Sequence, residues 1–256
     1  MRITIKIGSN VLTRNDGTLD ITRMSALVDQ IAYLRHQGHE VILVSSGAVA
    51  SGRSELKHIQ HDLDSVDQRQ LFSAVGQAKL MNRYFELFRE YGIAVGQVLT
   101  MKENFSDTEH KKNQENCLRV MLENSVMPIV NENDTVSITE LMFTDNDELS
   151  GLIAQMTNSQ ILIILSNIDG IYTGNPDDPK SQLISVVRPD MDLTEYIQKN
   201  TSSAGRGGMF SKSSVATKTA ALGISVIIAN GKRENILINI LNDIENTPCT
   251  EFLITP

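Results

Sequence analysis

Short apolar runs alternate with amphipathic stretches along the chain, and this pattern limits the fold more than any other feature. The apolar runs predict strands at residues 3–7, 41–44, 94–99, 126–130, 161–165 and 225–229. Apolar residues at helical spacing predict helices over residues 22–36, 67–91, 109–124, 148–157 and 209–222. Repeated strand-then-helix units predict an α/β fold with a mostly parallel central sheet sandwiched between helices. The segment 249–254 could add one last strand.

Composition narrows the class of protein. The chain has 256 residues, 41% of them hydrophobic, so we expect a single domain over residues 1–256. A net charge of -8 argues against nucleic acid as a primary partner, because phosphate-backbone binding needs clustered Lys and Arg. No stretch approaches the roughly 20 apolar residues of a membrane helix, and the N-terminus resembles no export signal. We therefore expect a cytoplasmic protein with no membrane partner. The two cysteines and five histidines lack metal-ligand spacing, so no protein-bound metal is predicted.

The segment VMPIVNENDTVSITELMFTDNDELS, residues 126–150, has the densest group of polar side chains. Its apolar run ends in the cluster 131–134, and a second polar cluster follows at 145–148. We expect a buried strand that delivers carboxylates and amides to its C-terminal end, and a small hairpin that brings the clusters together. Asp147 is predicted to open the next helix. Taken alone, the segment fits either a site for a small charged ligand or a solvated loop with Asp147 as an ordinary N-cap.

The first two predicted strands end in residues that could bind anions. Lys6 lies in an otherwise apolar strand that continues into Gly8 and Ser9. Either Lys6 reaches a phosphate group, with the backbone N–H groups of Gly8 and Ser9 on the same anion, or it points to water from an edge strand. The second strand leads into Ser46 and Gly47, where a helix N-terminus could approach a carboxylate. The alternative for that turn is a tight strand-to-helix connection.

A glycine-rich turn, GRGGMFSK at residues 205–212, leads into a predicted helix and places Lys212 about one turn inside it. The spacing is not that of a P-loop, and no GxGxxG follows a strand. Lys6 and Lys212 together are stronger evidence, because both lie at glycine-bearing loops facing the same edge of the sheet. They would neutralise a triphosphate from two sides, with Asp147 between them to hold the ammonium groups in register. The helix 67–91 is predicted to be core or a subunit contact.

Several motifs taken as a set resemble those of the amino acid kinase family. They are IKIGSNVLT, VILVSSGAVASGR, AVGQ at residues 74–77, VMPIVNENDTV, FTDNDELS, GIYTGNP and GRGGMFSK, and they run through nearly all of the chain. The resemblance implies the carbamate kinase-like fold of that family. It also implies ATP-dependent phosphorylation of the side-chain carboxylate of L-glutamate, the first step of proline biosynthesis. Many bacterial members carry a C-terminal PUA domain, and we expect none here.

The resemblance also implies roles for individual residues. Lys6 and Lys212 would contact the ATP phosphates and the transferred phosphoryl group, and Asp147 would organise both lysines. The residues implied for L-glutamate are Ser46, Asp134 and Asn146, with Asn131 and Gly47 as neighbours. Those implied for ATP are Lys6, Gly8, Ser9, Ser166, Asn167, Arg206, Gly207, Gly208, Met209, Phe210, Ser211 and Lys212. The family usually has Thr and Asp at the positions of Ser166 and Asn167, Thr at that of Arg206, and a small or polar residue at that of Phe210.

Further expectations concern partners. The resemblance implies Mg²⁺ carried by the nucleotide, a homo-oligomer, and proline as a feedback inhibitor, for which the loop 54–64 is the candidate place. The chemistry agrees with the resemblance, because a carboxylate of pKa about 4.3 is already ionised at neutral pH and needs no general base. Asp134 can meet an α-ammonium group. The alternatives are another acceptor on the same fold (acetylglutamate, aspartate, uridylate or carbamate), a non-catalytic amino acid sensor, or a nucleic-acid module.

Overall fold

An eight-stranded sheet forms the centre of the protein in a computed structural model, which describes residues 1–56, 61–137, 143, 145–198 and 208–254. The order is β3-β4-β2-β1-β5-β9-β10-β8, and all pairings from β3 to β9 are parallel, whereas β10 is antiparallel to β9. The strands are β1 (Arg2–Ile7), β2 (Glu40–Ser45), β3 (Val95–Thr100), β4 (Met127–Glu132), β5 (Ile161–Ser166), β6 (Ile171–Tyr172), β7 (Leu183–Ile184), β8 (Val186–Val187), β9 (Ser225–Asn230) and β10 (Cys249–Phe252). The pair β6 and β7 forms a separate small sheet. The predicted α/β class is confirmed.

Helices cover the sheet, and aspartates begin several of them. The carboxylates of Asp20, Asp64, Asp107 and Asp145 each accept a backbone N–H from the first turn of the helix that follows. All predicted strands and helices are confirmed, with ends shifted by one or two residues. The helices are α1 (Ser9–Leu12), α2 (Ile21–His36), α3 (Ala48–Glu55), α4 (Ser65–Arg89), α5 (Glu103–Ser106), α6 (Thr108–Glu123), α7 (Asn146–Met156), α8 (Thr194–Gln198), α9 (Met209–Ala220), α10 (Ile236–Asn242) and a 3₁₀ turn (Ile244–Asn246).

The core lies on both faces of the sheet. Alternate residues of β1, namely Ile3, Ile5 and Ile7, are buried against α2 and α4 in the largest apolar cluster. Residues of β2 and β5 that face the other way pack in two smaller clusters with α7 and α9. Because β1 pairs with β2 on one side and β5 on the other, the edge-strand interpretation of Lys6 is wrong. Within the described part of the chain, each helix is too short or too polar to cross a membrane.

Two glycines bring α3 and α4 into backbone contact. A Cβ at Gly76 would lie 1.8 Å from the carbonyl oxygen of Ala48, and a Cβ at Gly52 would lie 1.8 Å from that of Phe72. No side chain fits at such separations, because backbone atoms would have to move. The close approach positions α4 against the turn that follows β2.

We expect Gly76→Ala to lower the free energy of unfolding by about 1–3 kcal/mol or more, because the added methyl group must push α4 away from α3. Urea unfolding followed by circular dichroism measures this. Gly174→Ala is the matched control, since a Cβ there meets its nearest atom at 3.6 Å, an ordinary contact. Equal stability of the two variants would contradict the packing argument.

Candidate active site

A cleft of about 1120 Å³ opens where the central parallel strands end. Residues that follow β1, β2, β4 and β5 line it, together with the first turns of α3, α7 and α9. Open parallel sheets bind ligands at this edge, where helix N-termini also point. The cleft is therefore the candidate active site.

Three charged side chains meet at the base of the cleft and form what we call the Lys-Asp-Lys cluster. Lys6 Nζ lies 2.5 Å from Asp147 Oδ1, and Lys212 Nζ lies 2.9 Å from Asp147 Oδ2. The three residues come from β1, α7 and α9. Asp147 is fully buried, and Lys6 and Lys212 are only 4% and 9% exposed. The structure thus brings together the two lysines and the aspartate that the sequence singled out, with one lysine on each carboxylate oxygen.

The two neighbouring ammonium groups keep the Asp147 carboxyl ionised. Burial alone would raise the pKa of the Asp147 carboxyl, but the charges of Lys6 and Lys212 outweigh burial and hold that pKa below its ordinary value of 3.8. Two cations share one anion, so the cluster has an excess positive charge in a place with little water. Such a charge favours an anionic ligand within hydrogen-bonding distance.

The lowered pKa predicts how Asp147 contributes to stability as the pH changes. Its contribution should be complete above about pH 3.8 and disappear as the pH falls through the still lower pKa of the folded protein. We therefore expect the difference in unfolding free energy between the native chain and Asp147→Asn to stay constant above about pH 3.8 and to shrink as the pH falls below that value. Urea unfolding of both proteins above and below this pH measures it. A difference that stays constant below this pH would contradict the prediction.

The N-cap of α7 is Asp145, and the interpretation of Asp147 as the helix opener or an ordinary cap is wrong. Asp145 Oδ1 accepts from Asp147 N at 2.9 Å and from Glu148 N at 3.1 Å. Burial and the charge of Asp147 raise the pKa of Asp145, while a hydrogen bond from the Ser211 hydroxyl opposes that rise. With Asp145 as the cap, the carboxylate of Asp147 is left to face the lysines.

Amide side chains line the half of the cleft beside β2 and β4. Asn146 Nδ2 donates to Ser46 Oγ and to Asn131 Oδ1, both at 3.0 Å. Gly47 adopts φ 109°, in the left-handed region, where other residues would be strained. The structure therefore places Ser46, Gly47, Asn131 and Asn146 together.

Asp134 lies in the same half, but its carboxylate is paired with Arg69, which the sequence argument missed. Arg69 Nε donates to Asp134 Oδ1 at 2.8 Å, and a terminal nitrogen of the same guanidinium donates to Glu132 Oε2 at 2.9 Å. Burial raises the pKa of Glu132 even though Arg69 and the N–H of Phe143 stabilise its charge. Arg69 belongs to α4, so the assignment of that helix to core or subunit contact alone is wrong.

The other half of the cleft holds the positions implied for the nucleotide. Gly8 N donates to the carbonyl oxygen of Leu165 at 3.1 Å, so the expectation that this N–H binds an anion is wrong. Ser9 begins α1, where first-turn N–H groups lack helical partners. Ser166 is buried at the end of β5, and Asn167 is exposed beside it; both line the cleft.

The glycine-rich turn is described only from Gly208 onward. Gly208 and Met209 line the cleft at the start of α9, and Phe210 is 74% exposed. The predicted contacts of Arg206 and Gly207 lie outside the described residues, as do most of the predicted hairpin (138–142) and part of the loop 54–64 (57–60).

Comparison with known proteins identifies the class. A sequence model described as the amino acid kinase family matches residues 1–230, and the chain belongs to that family. A glutamate 5-kinase of Bacteroides thetaiotaomicron is 68% identical over 98% of this chain and 70% of its own length. Another from Chlorobaculum tepidum is 45% identical over 92% of this chain and 65% of its own length. Within the family, the chain is grouped with the glutamate 5-kinases. It spans about two thirds of these two relatives.

Solved structures agree on the fold. The carbamate kinase from Giardia lamblia bound to AMP-PNP superimposes with a TM-score of 0.69 at 14% identity, over 99% of this chain and 98% of that one. The UMP kinase from Ureaplasma parvum gives a TM-score of 0.65 at 18% identity, over 98% of each chain. At these identities the likeness concerns the fold alone.

Proposed function

We propose that the cleft transfers the terminal phosphoryl group of ATP to the side-chain carboxylate of L-glutamate. The observation that carries this proposal is the Lys-Asp-Lys cluster at the point where the two halves of the cleft meet. One half is lined by amides and a carboxylate suited to an amino acid. The other half contains the first turn of α9, a helix N-terminus suited to phosphate.

The reaction needs alignment and charge stabilisation more than proton transfer. The acceptor carboxylate has a pKa of about 4.3 and is ionised at neutral pH, so one of its oxygens can attack the terminal phosphorus directly. The bond between that phosphorus and the bridging oxygen breaks, and its electron pair leaves with ADP. The products are ADP and an acyl phosphate, and no catalytic histidine is required.

Lys6 and Lys212 are assigned to the transferred phosphoryl group. Asp147 fixes each ammonium group through one carboxylate oxygen, so both lysines are oriented before the nucleotide binds. Preorganised cations that meet developing negative charge stabilise a phosphoryl-transfer transition state without reorganisation. We assign the N-terminus of α9, with Gly208, Met209 and Ser211, to the remaining phosphate oxygens.

Mg²⁺ is proposed to enter with the nucleotide, where it would neutralise phosphate charge. Among the described residues, no group of three His, Cys, Asp or Glu side chains is arranged to hold a metal ion. Both oxygens of Asp147 already face lysines. We propose that substrate phosphates and water would hold most of the Mg²⁺ coordination positions.

Glutamate is assigned to the amide-lined half. Asp134, oriented by Arg69, is proposed to meet the α-ammonium group, and the turn at Ser46 and Gly47 is proposed to meet a carboxylate. Asn131 and Asn146 supply further polar contacts. An ammonium partner favours a free amino acid over N-acetylglutamate, uridylate or carbamate.

The test is product formation with L-glutamate, ATP and Mg²⁺, with hydroxylamine added to trap the acyl phosphate as a hydroxamate. We expect hydroxamate and ADP in equal amounts, each dependent on glutamate. N-acetylglutamate at the same concentration should neither react nor compete effectively. Glutamate binding without ADP release would instead favour an amino acid sensor.

Two further properties are part of this proposal. We propose a homo-oligomer, as the resemblance to the amino acid kinase family implies. Light scattering of the purified protein tests the oligomeric state.

We also propose that L-proline inhibits the reaction. Adding proline to the hydroxamate assay tests this inhibition.

A further inference from the structure

Three amide side chains form a continuous hydrogen-bonded line from α4 to the cleft, which we call the amide relay. Gln77 Oε1 accepts from Asn131 Nδ2 at 2.9 Å. Asn131 Oδ1 accepts from Asn146 Nδ2 at 3.0 Å and from the backbone N of Glu132 at 2.9 Å. The N–H of Glu132 makes Oδ1 the acceptor end of the Asn131 side chain, which leaves Asn131 Nδ2 to donate to Gln77.

The relay determines which atom Asn146 presents to a ligand. Both hydrogens on Asn146 Nδ2 are directed away, one to Asn131 and the other to Ser46 Oγ at 3.0 Å. Asn146 Oδ1 accepts no hydrogen bond from the described residues, and Asn146 lines the cleft. The amide therefore offers an acceptor, which selects a donor group on the ligand.

Gln77 can act only through Asn131. Among the described residues that line the cleft, Gln77 is absent, while Asn131 and Asn146 are both present. Its helix is fixed in place because Gly76, the preceding residue, lies in backbone contact with α3. Without an acceptor at position 77, Asn131 Nδ2 loses its partner, and the Asn131 side chain is then held only through Oδ1, by the N–H of Glu132 and by Asn146.

We propose that Gln77 is a positioning residue of the acceptor pocket: together with the N–H of Glu132, it holds the Asn131 amide in the orientation in which Asn146 presents Oδ1 to the ammonium group of the amino acid substrate. This inference rests on the proposed function and deepens it. The Gln77 side chain serves as an acceptor, so Glu at position 77 should replace it, whereas Leu or Lys should not.

The test is steady-state kinetics in the hydroxamate assay, varying glutamate and ATP separately. We expect Gln77→Leu and Gln77→Lys to raise KM for glutamate about threefold to tenfold, the effect of one lost hydrogen bond. Their kcat and KM for ATP should stay within about twofold of the native values. Gln77→Glu should keep the native KM for glutamate within about twofold. Gln155→Leu makes the same change at an exposed position on α7 and should alter neither constant.

A double-mutant cycle separates the relay from a general packing effect. If Gln77 acts through Asn131, Gln77→Leu should have no further effect on KM for glutamate in an Asn131→Ala background. Three outcomes would each overturn the inference. They are additive effects in the double mutant, an unchanged KM for glutamate in both Gln77→Leu and Gln77→Lys, and a Gln77→Glu variant as impaired as Gln77→Leu.

If Gln77→Leu fails to fold, Gln77→Lys and Gln77→Glu still decide the question. A native chain without glutamate-dependent product would refute the proposed function, whereas an active native chain with unaffected variants refutes only the role of Gln77.

Discussion

Replacing Asp147 by Asn should lower kcat by about 10²-fold to 10³-fold, the scale seen when a preorganised electrostatic contact is removed. Asn keeps the shape of the side chain but removes the charge that Lys6 and Lys212 share. Two buried ammonium groups then repel one another without an intervening carboxylate. They would no longer be fixed at the positions where the transferred phosphoryl group needs them.

The measurement is kcat in the hydroxamate assay at saturating glutamate and ATP. Asp190→Asn, at an exposed position, is the control for the chemical change and should behave as the native chain. Circular dichroism of Asp147→Asn at pH 7 establishes that the variant is folded. A folded variant with kcat within about threefold of the native value would show that the aspartate is not needed to orient the lysines.

Lys212→Ala should lower kcat at least about tenfold, because one of the two cations assigned to the transition state is lost. The loss should appear mainly in kcat, since the contact strengthens as charge moves onto the phosphoryl oxygens. Lys218→Ala is the matched control on the same helix, because Lys218 is exposed. Near-normal turnover of Lys212→Ala would refute the assignment of this lysine.

Periodicity was sufficient to predict the sheet and the main helices. Strands β2 and β5 contain continuous apolar runs, which is what burial on both faces requires. The Lys-Asp-Lys cluster was predictable for a related reason. Parallel strands end at one edge of the sheet, so polar residues placed just after them must lie near each other.

Other parts of the site depend on packing that the sequence does not encode locally. Arg69 and Gln77 belong to a long amphipathic helix, and their polarity fits a solvent-facing side as well as a site-facing one. Which side faces the cleft depends on the backbone contact of Gly76 with α3. A helix start after Gly47 was expected, but periodicity gave no extent for α3, because Gly and Ser have low helix propensity and α3 is stabilised by its packing on α4.

The sequence does not show which of Asp145 and Asp147 caps α7. Both are aspartates at the beginning of one helix, and either could serve as its cap on sequence grounds. The structure assigns the cap to Asp145, which leaves Asp147 for the lysines. Two aspartates that lie only two residues apart therefore have different roles: Asp145 caps the helix, and Asp147 has the proposed catalytic role.

The two lysines of the cluster belong to the first strand and to α9, near opposite ends of the chain. A polypeptide emerging from the ribosome therefore cannot assemble the anion-binding centre until α9 has been synthesised, and contacts so distant in sequence are slow to form. Catalytic turnover would thus report completion of folding, whereas the spectroscopic signal of helices and strands would appear earlier.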